Sequence, residues 1–225
     1  MKLAVFGGSF NPLHTGHAVM ADTVLKELGY DRIIFIPNST APHKTAKSEG
    51  YRFPTGEERF SMVDAFCKSR KDGCFIADPC EIKRGGVSYT IDTIHWIYEN
   101  YVFDGKPGLI MGEEIAAEFH KWKCPDEIAN LCDIIIVRRD TSQKKSDNFE
   151  KSCNVPVGNY KGDSGALFEE SSFLYPHVTC TNTLVNLSST QIREKIASGK
   201  SFYYLLPETV AQYIQGENFY GRLDQ

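Results

Sequence analysis

The sequence predicts an α/β fold, a Rossmann-like parallel sheet with helices on both faces. Three observations lead there. Short apolar runs of strand length recur at residues 3–6, 32–36, 74–77, 108–111 and 134–137, and stretches with helical spacing lie between them. The first run enters a glycine-rich turn that opens directly into a helical stretch. Hydrophobic residues make up 41% of the 225, ample material for a core.

Taken in order, each element has a local reason. After the opening strand and the glycine turn, apolar positions repeat at helical spacing over 16–28, and Gly29 stops them. Beyond the second strand, Pro37, Ser39, Thr40 and Pro42 predict irregular chain. Thr55-Gly56-Glu57-Glu58 makes a capping box, and Phe60, Val63, Phe66 and Cys67 behind it form one apolar stripe that reads as core. Residues 140–165 are rich in Ser, Asn, Lys and Gly with little periodicity, which predicts a surface excursion carrying a solvated Lys144-Lys145 pair. Ser188 or Ser189 caps a helix over 190–198 that ends at Gly199. From Pro207 onward, Val210, Tyr213 and Ile214 share a face of a closing helix, packed on the sheet or on a second copy, so a homo-oligomer stays open. No repeat or long linker divides the chain. We read one domain over 1–225, with 186–225 as its helical C-terminal part.

Composition excludes several classes. The formal net charge of -4 offers no basic surface for a nucleic acid, and no run approaches membrane-spanning length. The first residues lead straight into the glycine turn, leaving no room for a cleavable signal, so a cytoplasmic protein is expected. The seven cysteines, an odd number, include no CxxC pair, as reduced thiols would. Cys67 and Cys132 lie in apolar surroundings and read as packing residues; the other five are open to oxidation.

Chemistry concentrates in Phe6-Gly7-Gly8-Ser9-Phe10-Asn11-Pro12-Leu13-His14-Thr15-Gly16-His17. Gly7 and Gly8 let backbone approach a ligand closely, and the uncapped amides of the following helix favour negative charge, so phosphate is the natural guest. His14 and His17, three apart, can turn to one side and donate to the oxygens of a reacting phosphoryl group. A histidine pair alone fits helix capping, burial or a metal equally well. The glycine turn, Ser9 and the Asn11-Pro12 bend weigh toward phosphate. Far downstream, Ser188-Ser189-Thr190-Gln191-Ile192-Arg193 is another helix start. It reads as a simple capped helix, or, through Arg193, as a fork of donors beside free amides suited to the outer phosphates of a nucleotide.

The first segment resembles the HxGH nucleotidyltransferase superfamily, and Ser188 to Arg193 resembles its SSTxIR motif. Within that superfamily the chain is similar to the nicotinate-nucleotide adenylyltransferases over nearly its whole length. The landmarks are Ile36-Pro37-Asn38, Ala41-Pro42-His43-Lys44, Glu81-Ile82-Lys83-Arg84, Ser88-Tyr89-Thr90, Leu109-Ile110-Met111-Gly112-Glu113-Glu114, His120-Lys121-Trp122, Val137-Arg138-Arg139 and Leu205-Leu206-Pro207-Glu208. The resemblance implies an enzyme of NAD biosynthesis that joins nicotinate mononucleotide and ATP, giving deamido-NAD and pyrophosphate. It implies that Gly7, Gly8, Ser9 and Phe10 hold ATP, with Gly112, Glu114, Ser189, Thr190 and Arg193, while His14, His17 and Arg193 are catalytic. His43, Lys44, Tyr89, Thr90, Trp122 and Arg139 would serve the substrates: Lys44 and Arg139 facing phosphates, Thr90 the nicotinate carboxylate and Trp122 the pyridine ring.

Three positions depart from that family's usual pattern. Glu114 stands where Asp is usual, one methylene longer; Asn11 replaces an Asp; and Asp140-Thr141 replaces Pro-Gly. Mg²⁺ entering with ATP, held by phosphates and water, suits an ion that dehydrates reluctantly, and no carboxylate cage is visible for a protein-bound metal. The competing readings are the same chemistry on nicotinamide mononucleotide or phosphopantetheine, and a nucleotide-binding sensor without catalysis.

Overall fold

A computed structural model describes residues 1–39, 51–139, 170–182 and 187–221. Six parallel strands form one sheet: β1 (Leu3–Gly8), β2 (Arg32–Pro37), β3 (Phe75–Ala77), β4 (Gly108–Gly112), β5 (Asp133–Arg139) and β6 (His177–Asn182). Their spatial order is β3-β2-β1-β4-β5-β6. The order reverses between β1 and β4, whose pairing sets Ala4 opposite Gly108 and Val5 opposite Leu109. A crevice at the carboxyl ends of the strands follows from that reversal.

Strand residues alternate between two faces, as a pleat requires. Ala4, Phe6, Ile33, Phe35, Ile110 and Ile135 enter one core with α1 (Thr15–Glu27), α2 (Gly56–Ser69), α7 (Ser189–Ala197) and α8 (Glu208–Glu217). On the other face, Leu3, Val5, Ile34 and Ile36 meet Cys80 of α3 (Cys80–Arg84) and Ile97 of α4 (Thr90–Asn100). Leu109, Met111, Ile134 and Ile136 meet Ala116 of α5 (Glu113–Ala116) and Ile128 of α6 (Pro125–Leu131). The predicted sheet with helices on both faces is the observed one, and α8 packs within the chain through Val210, Ala211 and Ile214.

Three sequence expectations change. β6 was not anticipated: it is an edge strand whose apolar residues are Val178, half exposed, and Cys180, buried, so it makes no apolar run. The α2 stripe is displaced, because Arg59, Met62, Val63, Phe66 and Cys67 are buried while Phe60 is only partly so. Of the thiols read as oxidisable, Cys80 and Cys180 are buried like Cys67 and Cys132, and burial pushes all four above the ordinary thiol range. Cys153 and the 140–165 excursion lie outside the described residues.

The α2 capping box forms as read. Glu58 N–H donates to Thr55 Oγ1 at 3.2 Å, and Thr55 N–H donates to Glu58 Oε2 at 2.8 Å. The Thr55 amide, the Thr55 hydroxyl and Arg52 together hold the Glu58 carboxyl below its usual range, against the opposing effect of burial. A depressed carboxylate contributes stability above its unfolded value and loses it as pH falls through the folded one. Glu58→Gln is therefore expected to cost about 0.5–1 kcal/mol at pH 7. The penalty should shrink in acid. Urea titrations that give a pH-independent difference, or none, would contradict this.

Candidate nucleotide site

The carboxyl end of β1 supplies the glycine turn. Gly7 is exposed, and a Cβ built there would meet nothing within 4 Å, which leaves its backbone open to close approach. Gly8 is small for a different reason. A Cβ there would lie 3.1 Å from Cζ of Phe10, whose ring folds back beneath the turn. Phe10 adopts the left-handed region at φ 43°, is 1% exposed, and packs edge-on to Phe6 at 5.6 Å. Its ring belongs to the core, so the contact with ATP expected of Phe10 is restricted to its backbone.

The turn's carbonyl oxygens are held from behind. Arg59 Nη1 donates to Ser9 O at 2.7 Å, Arg193 Nη1 to Asn11 O at 2.7 Å, and Ser189 Oγ to Pro12 O at 2.9 Å. Tyr220 donates its hydroxyl to Asn11 Oδ1, and burial pushes that phenol's pKa up, keeping it a donor. In a trans peptide the N–H points opposite the C=O, so the amides of Phe10 and Leu13 face away from these donors. That direction suits an anion.

His14 caps α1 and His17 is its third residue. The His14 backbone N–H donates to Nδ1 of His17 at 3.1 Å, and the two rings lie 3.8 Å apart at 31°. An Nδ1 that accepts places the proton of the neutral His17 ring on Nε2, a donor atom for a phosphoryl oxygen. The helix-capping reading of this pair is therefore part of the structure.

The second motif meets the first. Ser188 caps α7, accepting from the Gln191 N–H at 3.2 Å while its own N–H donates to Gln191 Oε1 at 3.1 Å. The predicted cap is real, and Ser189 and Arg193 beyond it reach the turn. Arg193 was expected on phosphates. Here its guanidinium spans Asn11 O and Thr190 Oγ1, the latter at 3.0 Å.

The remaining predicted residues divide. Gly112 ends β4 and caps α5, with Glu114 exposed, while its neighbour Glu113 accepts from Arg138 Nε at 2.8 Å. Tyr89, rather than Thr90, is the N-cap of α4, and Thr90 is the first helical residue. Trp122 is half-buried on Phe119, 5.1 Å between centroids. Lys123 lies over the Tyr89 ring at 4.6 Å and pairs with Asp92 at 3.4 Å, which brings segment 122–123 beside the start of α4. Arg139 closes β5. His43, Lys44 and the side chain of Arg139 lie outside the described residues.

Sequence reading missed Arg59 and Tyr220, and it marked Asn38 as a landmark without a role. Arg59 carried a usable signal: it stands three, four and seven residues before Met62, Val63 and Phe66, on the helix's buried stripe. A cavity of about 660 Å³ opens at the other ends of the strands, lined by Lys2, Tyr30, Lys106, Asp133 and His177 among others. It contains none of the predicted site residues.

The family model described as cytidylyltransferase-like matches residues 5–195, and the chain belongs to that family. Its similarity is narrower than that. A protein of Treponema pallidum named "probable nicotinate-nucleotide adenylyltransferase" is 32% identical over 222 residues, covering 98% of this chain and 99% of that one. A protein of the same name from Borreliella afzelii is 31% identical over 220 residues, covering 98% and 97%. Among solved structures, the Plasmodium falciparum nicotinic acid mononucleotide adenylyltransferase complexed with NaAD shares the fold at TM-score 0.66, with 14% identity and 97% of each chain covered.

Gly8→Ala is expected to displace the Phe10 ring and lower stability by about 1–3 kcal/mol, the usual cost of overpacking a core. A urea midpoint equal to that of the unmodified chain would contradict this packing.

Proposed function

We infer that the chain is a nicotinate-nucleotide adenylyltransferase, joining nicotinate mononucleotide and ATP to give deamido-NAD and pyrophosphate in NAD biosynthesis. The observation that carries this is the junction of the two motifs, where Ser189 and Arg193 grip the turn that precedes the histidine pair. Identity of 32% and 31% over nearly the full length to proteins of that name supports the choice of substrates.

In the proposed reaction, a phosphate oxygen of nicotinate mononucleotide attacks the α-phosphorus of ATP in line. A new P–O bond forms as the bond to the bridging α,β-oxygen breaks, and pyrophosphate leaves with that electron pair. The attacking oxygen is already anionic, so alignment and charge neutralisation are the tasks left to the protein. Gly7, Gly8 and Ser9 cradle the ATP side, with the Phe10 amide. His14 and His17 neutralise charge developing at the α-phosphate. Arg193 holds the turn and lies close to the phosphates, while Ser189 and Thr190 extend the same wall. Gly112 and Glu114 serve the ribose; Tyr89, Thr90 and Trp122 receive the pyridine carboxylate and ring; Lys44 and Arg139 face phosphates, and His43 serves the substrates beside them.

Magnesium enters as part of the ATP complex. Phosphates and water hold it, which suits an ion that dehydrates reluctantly. No helix among the described residues is long and apolar enough to cross a membrane. Separately, we place the enzyme in the cytoplasm, and the net charge of -4, which offers no basic surface, speaks against a nucleic-acid partner.

Pyrophosphate release from ATP and Mg²⁺, compared across nicotinate mononucleotide, nicotinamide mononucleotide and phosphopantetheine, is expected to favour the nicotinate form strongly. Preference for another acceptor would move the substrate, and ATP binding without turnover on any acceptor would favour the sensor reading. His17→Ala should reduce kcat by about a hundredfold to a thousandfold, the scale of one lost transition-state donor, with ATP binding retained. Trp122→Ala should raise KM for nicotinate mononucleotide far more than for ATP. An equal rise in both would remove Trp122 from the pyridine site.

A further inference from the structure

Arg59 is a cation inside the core. It is 5% exposed, and burial pulls its pKa below the ordinary guanidinium value, though arginine stays charged. A buried charge is costly unless its hydrogen bonds repay it. Its fork reaches two separate loops: Nη1 donates to Ser9 O at 2.7 Å, and Nη2 donates to Asn38 O at 2.6 Å and Ser39 O at 3.2 Å. The two loops also touch directly, with Asn38 N–H on Gly8 O at 3.0 Å and Asn38 Nδ2 on Ser9 Oγ at 3.3 Å.

The connection continues beyond β2. Ser39 N–H donates to Ser88 Oγ at 3.0 Å, and Ser88 immediately precedes Tyr89, the cap of α4. One hydrogen-bonded path therefore runs from Ser9, on the ATP side, through the Arg59 guanidinium and Ser39 to the segment that begins the pyridine side. In-line transfer between two substrates tolerates little error, since reacting atoms must come within roughly 3–3.5 Å with correct alignment.

We propose that Arg59 is a positioning residue that sets the ATP-side turn at its working distance from the start of α4, and so governs the transfer step rather than the binding of either substrate. This rests on the adenylyltransferase reading. Lysine at 59 keeps the charge but offers one nitrogen in place of a planar fork, so it cannot span the Ser9 and Asn38 carbonyls together. Ser88→Ala cuts the same path at its far end without disturbing the core.

The test measures kcat for pyrophosphate release, and separately the Kd of ATP and of nicotinate mononucleotide, in the unmodified chain, Arg59→Lys, Ser88→Ala and the double variant. Arg59→Lys is expected to lower kcat by about tenfold to a hundredfold, the scale of a misplacement near 1 Å, with each Kd little changed. Ser88→Ala should lower kcat in the same direction, and the double variant should lose less than the product of the two, because both act through one path. Unchanged kcat in folded Arg59→Lys, losses that track Kd, or fully multiplicative effects would overturn the role. Should Arg59→Lys fail to fold, Ser88→Ala decides: an unmodified kcat there overturns the proposal. An unmodified chain that releases no pyrophosphate would instead overturn the adenylyltransferase reading, and this role with it.

Discussion

Inward-held carbonyls at residues 9, 11 and 12 are the constraint on which the site depends. A peptide that bears an N–H has two edges of opposite polarity, and a short turn has no regular partner to decide which way they point. Here the donors come from three distant places: Arg59 on α2, Ser189 and Arg193 on α7, and Tyr220 beyond α8, which steadies the Asn11 side chain. Two of these donors, Arg59 and Arg193, are cations, and Arg59 and Tyr220 are buried, which strengthens the hydrogen bonds that they make. The turn is thereby oriented by the chain's own donors.

The sheet supplies the geometry around that turn. Strand order reverses between β1 and β4, so the loops leaving these strands diverge and open a crevice between the Gly8 and Gly112 ends. Helices on the first face bring the arginines, whereas helices on the second face bring Tyr89, Thr90 and Trp122. Ser39, just after β2, and Ser88, just before α4, join the two groups at the carboxyl ends of the strands.

What could be read in the sequence follows the range of the interaction. The capping boxes at Thr55 and Ser188 are settled by residues three apart, and both appear in the structure as written in the chain. Strands β1, β2, β4 and β5 are apolar runs whose burial on both faces suppresses alternation, and β3, though at an edge, is still an apolar run, which makes all five legible. β6 escaped because an edge strand draws its order from the β5 ladder rather than from its own side chains. At the site, the glycines and histidines were visible as a pattern, but the reason for Gly8 was not: the Phe10 ring that needs the space is held by Phe6 and His17 through tertiary packing. Arg59 was hidden for a similar cause, since an arginine in an amphipathic helix ordinarily marks the solvent side, and only its distant carbonyl partners make burial tolerable.

Tyr220 also bears on the order of events during synthesis. Asn11 leaves the ribosome early, yet its side chain waits for a residue 209 positions later, and its carbonyl for one 182 positions later. Strands β1 and β2 can pair and the first hydrophobic face can begin to gather long before then. The turn after β1 reaches its final geometry only once α7 and Tyr220 have been made. A nascent chain can therefore pair its first strands well before it can hold this turn.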